Sequence, residues 1–267
     1  MAASECAEFR KTCFRKWIPY NDDLRDIVKN EPSHRFLINP ASQNTYLYQV
    51  EFVREFSEYY FRTSIGELAI LDWGCGKGHI SFLLRERGAT VTSCDFLKGE
   101  NDDDSAFGQE IPIIRSARIP VDRLADPVKL PYLDRAFDVV LSFGVLEHVE
   151  DDLESLREIN RILKPGGLFF CFFLPFVGSW TQYVMRFRGD NYHDRLYTKS
   201  KVKSLLKETG FESQDFWHRQ LFPKNSVRYP AYRAFESVDQ ALVRFTPLKY
   251  LATNIEFVAS RSNIKST

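Results

Sequence analysis

The stretch AILDWGCGKGHISFLL, residues 69–84, sets Gly74, Gly76 and Gly78 at every second position, directly after an apolar run that carries an acid, Asp72. Glycine loses more conformational entropy on folding than any other residue. Three so close together need either a sharply turned backbone or a ligand that approaches too closely for a Cβ. A P-loop would need a longer spacing and a Lys-Ser/Thr pair, both absent. The dinucleotide fingerprint reads G-x-G-x-x-G, whereas this stretch reads G-x-G-x-G behind an acid. An acid there repels phosphate and suits a ligand with a cationic amino group. Candidate proton-handling residues lie further on, at Glu147-His148 and at His193-Asp194.

The elements that must hold these residues follow from the hydrophobic pattern. Residues 44–62 place Tyr46, Val50, Val53, Phe56 and Tyr60 at helical spacing, with Asn44 as a candidate cap. Residues 1–64 read as an N-terminal helical segment, and 65–267 as a second unit in which strands alternate with helices. Strands are expected at 68–73, 90–95, 119–124, 137–143, 168–174, 213–219 and 254–260. Helices are expected at 78–87, closed by Gly88, at 151–163, broken by Pro165 and Gly166, and after Thr198 up to Gly210. This alternation predicts an α/β fold: a Rossmann-like, doubly wound, mostly parallel sheet of about seven strands. Inserts near 176–197 and 220–250 exceed ordinary connections. In such a sheet ligands bind at the carboxyl ends of the strands, which is where the glycine stretch falls.

Composition narrows the partners. Apolar residues make up 44% and charged residues 27%, and no apolar run approaches a membrane span. The first residues lack the continuous apolar core of a secretory signal. Lys plus Arg equal Asp plus Glu at 36 each, so no global field recruits nucleic acid. Five cysteines without metal-ligand spacing fit a reducing, cytoplasmic setting.

LDWGCGKGHI resembles motif I of the class I S-adenosylmethionine-dependent methyltransferases, and VTSCD resembles the family's second strand with its terminal acid. The run from Asp126 to Gly167 resembles the small-molecule subgroup almost continuously, and the resemblance spans roughly 66–175 and returns at 198–214. It implies S-adenosyl-L-methionine as cofactor. By position, Gly74 and Gly76 would lie under its methionine and ribose parts, with Cys75, Gly78 and Phe96 completing the cradle. Asp72 would help hold the amino group and Asp95 the ribose hydroxyls. Asp126 would meet the adenine amino group, with Pro127 and Val128 against the ring, and Ser142 and Phe143 would sit by the methionine end.

After the fourth strand the chain reads SFGVLEHV. It lacks the Asn/Asp-Pro-Pro-aromatic tetrapeptide of amino methyltransferases, and no Pro-Cys nucleophile is present, which argues against DNA methylation. Glu147-His148 resembles a pair found in quinone-biosynthesis O-methyltransferases, where an upstream Glu joins them around a divalent metal. Gly144 stands at that upstream position, so no metal is expected. His148 and His193 remain as candidate bases. Trp180, Tyr183, Arg186, Arg188, Tyr192, Arg195 and Tyr197 in the first insert are candidate acceptor contacts, aromatic and cationic in alternation. The expected function is methyl transfer to a small-molecule or glycan-type acceptor at oxygen. Two alternatives stand beside it: methylation of a quinone or polyprenyl ring at a membrane surface, where Phe222, Tyr229, Tyr232, Phe235 and Leu242 would give peripheral, lipid-linked contact, and a non-catalytic cofactor-binding protein.

Overall fold

The computed structural model describes residues 3–14, 18–96, 110–189, 195–224 and 231–262. The N-terminal segment holds α1 (Ala3–Cys13), α2 (Asp22–Val28), α3 (Arg35–Ile38) and the long α4 (Pro40–Phe61). Asn39, not Asn44, caps α4: its side chain accepts from the Ala41 N–H, and Pro40 occupies the first turn, where its missing N–H costs nothing. Asn44 is buried a turn inside the helix. The apolar side of α4 packs on the sheet, with Phe52 and Phe56 crossing Phe170 at 5.8 and 6.1 Å. Arg10 of α1 bonds Asp215 at 2.6 Å and lies over the Trp217 ring.

The remainder runs β1 (Ile70–Trp73), α5 (His79–Arg85), β2 (Val91–Phe96), α6 (Pro112–Ala117), β3 (Val121–Leu124), β4 (Phe137–Phe143), α7 (Asp152–Ile162) and β5 (Leu163–Pro175). Then follow α8 (Trp180–Phe187), α9 (Lys199–Glu208), β6 (Phe211–Arg219), α10 (Tyr232–Phe245) and β7 (Asn254–Arg261). The seven strands form one sheet in the order β3-β2-β1-β4-β5-β7-β6. β1 to β5 pair in parallel, and β7 runs antiparallel between β5 and β6. The strand order reverses at β1/β4, which places the ligand crevice outside their carboxyl ends.

Pro165 and Gly166 do not break α7. The helix ends at Ile162, and Leu163 is already extended and paired with Phe137. Leu163 is fully buried, so the core pulls it into the strand before the proline is reached. Thr198 caps α9 by accepting from the Lys201 N–H, as the sequence predicts.

The two inserts carry α8 and α10. A buried charge cluster docks α10: Lys224 Nζ bonds Glu236 and lies 3.3 Å from Asp239, with Arg219 3.8 Å from Glu236. Burial pushes the Glu236 carboxyl up, but Lys224 and Arg219 outweigh it and hold it below its ordinary value. Asn39 donates to the Lys224 carbonyl at 2.7 Å, joining this insert to the N-terminal segment. On β7, the buried Glu256 accepts from Trp217 of β6 at 2.8 Å and from Gln49 of α4 at 2.6 Å. Among the described residues no helix is long and apolar enough to cross a membrane.

Candidate functional site

The three glycines do different work. Gly74 has φ +68°, and a Cβ there would lie 2.6 Å from the Val145 side chain. Gly78 has φ +74° and precedes α5, and its Cβ would lie 2.7 Å from Ile114. These two glycines are demanded by backbone turn and packing. Gly76 also has positive φ, but it is exposed, and among the described residues a Cβ there would meet only the Gly74 carbonyl, at 4.0 Å. It is the glycine over which a ligand can come close.

Side chains around the loop lock it to β2. The Gly74 and Cys75 amides donate to the Cys94 carbonyl at 2.9 and 3.0 Å. Asp95, near the end of β2, accepts from Gly76 N–H at 2.6 Å through Oδ2 and from Phe96 N–H at 2.7 Å through Oδ1. Burial pushes its carboxyl up, and those two amides pull it back. Asp72 is buried at the end of β1 and accepts from Ser81 Oγ at 2.6 Å, while Ser81 also meets Ser93 at 2.7 Å. Burial raises Asp72 to about 6. Cys75 is buried and its thiol is raised by the same cause. Phe96 is exposed at the rim.

Asp126 is exposed and closes a turn over Pro127, accepting from the Val128 and Lys129 amides at 2.9 and 2.7 Å. Those donors hold its carboxyl below the usual range. Ser142 is fully buried, because strand alternation puts it on the same inward face as Val140. It therefore supports the crevice from beneath and does not line it. Phe143 points the other way, with its ring 4.6 Å from Phe172 and 6.3 Å from Phe173.

The turn after β4 overlies the glycine loop through the contact of Val145 with Gly74. It carries Glu147, which is 2% exposed, and burial pushes its carboxyl up to about 8. His148 Nε2 stands 3.9 Å from Glu147 Oε1, and its side chain is 31% exposed. A Cβ at Gly144 would lie 3.6 Å from Glu147 Oε1, so a longer residue there would face the carboxyl directly. Among the described residues no group of three His, Cys, Asp or Glu could hold a metal ion.

The first insert braces this turn. Tyr197 is fully buried, and its hydroxyl lies 3.1 Å from both the Leu146 carbonyl and Asp152. The Arg195 guanidinium donates to the carbonyls of Val149 and Glu150. Tyr197, fully buried, presents no face to an acceptor and braces the turn instead, and the half-buried Arg195 holds the same turn through its guanidinium. Trp180 spends its indole N–H on the Leu221 carbonyl at 2.6 Å, which joins the two inserts. Tyr183 is exposed on α8, where Arg186 also lies, and Arg188 follows the helix end. Tyr192 and His193 lie outside the described residues. Replacing Tyr197 by Phe keeps the packing and removes its hydrogen bonds, a loss of roughly 1–2 kcal/mol of stability. The slackened turn should lower kcat about tenfold or more with cofactor affinity unchanged. Calorimetric cofactor binding beside steady-state kinetics checks this split, and wild-type kcat would show that the brace is dispensable.

A glycine loop after β1, an acid at the end of β2 and a sheet whose seventh strand runs antiparallel define the class I S-adenosylmethionine-dependent methyltransferase architecture. Residues 71–171 match the methyltransferase domain family. The chain is 28% identical over 230 residues to the ubiquinone biosynthesis O-methyltransferase of Ruegeria pomeroyi, covering 79% of this chain and 83% of that one. It is also 28% identical over 189 residues to the protein of that name from Rickettsia bellii, covering 67% and 72%. Its fold is similar to that of a SAM-dependent methyltransferase from Thermotoga maritima, with TM-score 0.53 and 15% identity over 90% of this chain and 99% of that one. The domain match and the O-methyltransferase relatives support a class I S-adenosylmethionine-dependent methyltransferase with S-adenosylmethionine as cofactor. The open Gly76 and the Asp95 acceptor fit that group.

Sequence reading missed the buried state of Glu147 and the bracing roles of Arg195 and Tyr197. Nothing local in LEHV signals that the carboxyl is enclosed, since enclosure comes from the packed strand ends around it.

Proposed function

We propose that this enzyme methylates a hydroxyl of a small molecule whose apolar ring is lipid-linked, working from the cytoplasmic side of a membrane surface. The observation that carries the reading is the turn 144–151, which sets His148 beside the buried Glu147 and packs on the glycine loop through Val145. Bound S-adenosylmethionine supplies an already activated methyl group. The protein's own residues must therefore align the acceptor and take one proton. Alignment is worth up to roughly 7–11 kcal/mol in favourable cases. His148 is exposed enough to meet an acceptor hydroxyl and serves as its base. Asp95 and the Gly76 backbone hold the ribose side of the cofactor, and the exposed edge at Asp126 to Val128 flanks its adenine. The relatives named for ubiquinone biosynthesis support an oxygen acceptor on a lipid-linked ring. So do the exposed Tyr183 and Phe187 of α8, with Arg186 between them in sequence, and the exposed Phe245 and Tyr250 of the second insert, with Lys249 next to Tyr250, a pattern suited to an anionic lipid surface.

Incubation with methyl-labelled S-adenosylmethionine and fractionated cell extract tests the reading. Label should enter the lipid fraction. Label confined to polar metabolites overturns the lipid link, and no label at all overturns transfer. Transfer should also persist in excess chelator, because Gly144 supplies no third ligand. Loss in chelator, with recovery on adding magnesium or zinc, would contradict this.

A further inference from the structure

Strand β5 does not alternate to its end. Cys171 pairs with Phe257 of β7 and Leu174 with Ile255, so two residues, Phe172 and Phe173, stand opposite the single Glu256. This is a β-bulge, a device that re-aims side chains and recurs beside active sites. Strict alternation would send Phe172 to one face of the sheet and Phe173 to the other. Instead both join the core shared with the N-terminal segment, while Cys171 and Leu174 lie in the core on the opposite face. The change of face strains the backbone. Phe173 has φ +61°, and among the described residues it is the one non-glycine inside a helix or strand with a left-handed conformation. Such a residue persists only where its surroundings over-determine it.

Glu256 supplies that constraint. It is fully buried opposite the bulge, held by Trp217 at 2.8 Å and Gln49 at 2.6 Å. The Phe173 backbone N–H donates to the same carboxyl. The bulge aims Phe173 at one place. β5 runs parallel to β4, so its carboxyl end lies on the edge where the crevice opens. There Phe173 Cβ is 3.9 Å from the point where a Gly144 Cβ would stand, and among the described residues Glu147 is the one other side chain within 4 Å of that point. The Phe173 ring is steadied by Tyr46 at 5.1 Å and Phe143 at 6.3 Å. The Gly144 N–H donates to the Phe172 carbonyl at 3.0 Å. The turn 144–151 is therefore seated on both residues of the bulge.

We propose that Glu256 is a positioning residue for methyl transfer: by pinning Phe173 in the left-handed conformation it fixes the seat of the turn that carries Glu147 and His148. This rests on the reading of that turn as the one that takes the proton. A glycine at 173 would adopt the same backbone without strain but would lose the side chain that seats the turn.

A double-mutant cycle tests this. It is read by the rate of labelled-methyl transfer into the lipid fraction of cell extract at saturating S-adenosylmethionine, by KM for S-adenosylmethionine, and by amide exchange of residues 144–151. Glu256→Gln sets an NH₂ against one of the donors at this carboxyl. It should lower the saturated rate about tenfold, the scale on which one strained residue relaxes, with KM unchanged. Amides of the turn should exchange about tenfold faster, while those of β1 and β2 keep their protection. Phe173→Gly and Phe173→Asn both accept the left-handed region, so each should be slow by itself. Adding Glu256→Gln to either should change the rate by less than about twofold, because the pin no longer matters. A further loss of about tenfold in both backgrounds overturns the proposal, since Glu256 would then act elsewhere. Wild-type rate and turn exchange in Glu256→Gln overturn it too, as does faster exchange spread evenly over the whole sheet. The functional reading fails separately. Wild-type rate in His148→Ala removes the base, while faster exchange confined to the turn in Glu256→Gln still shows what seats it. An impaired His148→Ala beside an unimpaired Glu256→Gln does the reverse.

Discussion

Replacing His148 by Ala should lower kcat near neutral pH by roughly 10²–10⁴-fold, the range contributed by a positioned general base. The cofactor should bind as before, because His148 lies beyond the glycine loop. A hydroxyl holds its proton at neutral pH, so transfer without a base must wait for the rare alkoxide. High pH should accordingly rescue part of the loss. Glu147 adds a second, opposite test. Its carboxyl keeps its proton up to about 8 because burial disfavours the anion. Above that pH the anion, 3.9 Å from His148, stabilises the imidazolium formed as the proton is taken. Wild-type kcat should thus climb through about pH 8, and Glu147→Gln should flatten the climb. Linkage gives the stability consequence. The folded value is raised from 4.5, so Glu147's contribution is complete below about 4.5 and is lost as pH rises toward 8, where the unfolded chain ionises and the folded one does not. Melting curves at pH 5 and pH 9 should show that decline in wild type and a smaller one in Glu147→Gln. Wild-type kcat in both His148→Ala and Glu147→Gln would mean that orientation alone drives transfer.

Asp95→Ala should weaken S-adenosylhomocysteine binding at least tenfold. The carboxylate holds the Gly76 and Phe96 amides, and the resemblance gives the same oxygens the ribose hydroxyls. Hydrogen bonds to a charged group contribute about 1.5–3 kcal/mol each, and 1.4 kcal/mol is a factor of ten. Asp95→Asn is not a mild change here. Its NH₂ would face either the Gly76 or the Phe96 N–H, donor against donor, so it should fall nearly as far. Calorimetry with the demethylated cofactor settles the assignment. A lowered melting temperature with unchanged affinity would reduce Asp95 to a staple for the loop.

The parts of this structure legible in the sequence are those whose cause is local. Phe137–Phe143 is a strand to the residue because Val139, Val140 and Leu141 leave no polar side to a helix. Thr198 caps α9 because a threonine ahead of a helix-forming run has one good use for its hydroxyl. Asn39 was open to the same logic, since the Pro40 that follows marks a first turn. What sequence could not supply were pairings across long separations. Arg195 and Tyr197 look like acceptor ligands until the carbonyls of the turn after β4 are seen beneath them. Ser142 looks like a site residue until the register of β4 turns it inward. Asp72 looks like a cofactor ligand alone, yet it also grips Ser81 and so fixes the first turns of α5.

The position of β7 bears on how the chain is made. β6 leaves the ribosome before the strand that connects it to the rest of the sheet. Until Asn254–Arg261 has emerged, β5 offers an open edge, β6 has no neighbour, and the indole of Trp217 lacks its Glu256 acceptor. Strands β1 to β5 can assemble in order of synthesis, but final closure is one late event that recruits both open edges at once. A nascent chain stalled anywhere in the second insert would display a half-built sheet with unpaired edges, a species suited to capture by chaperones and prone to pairing with its own copies.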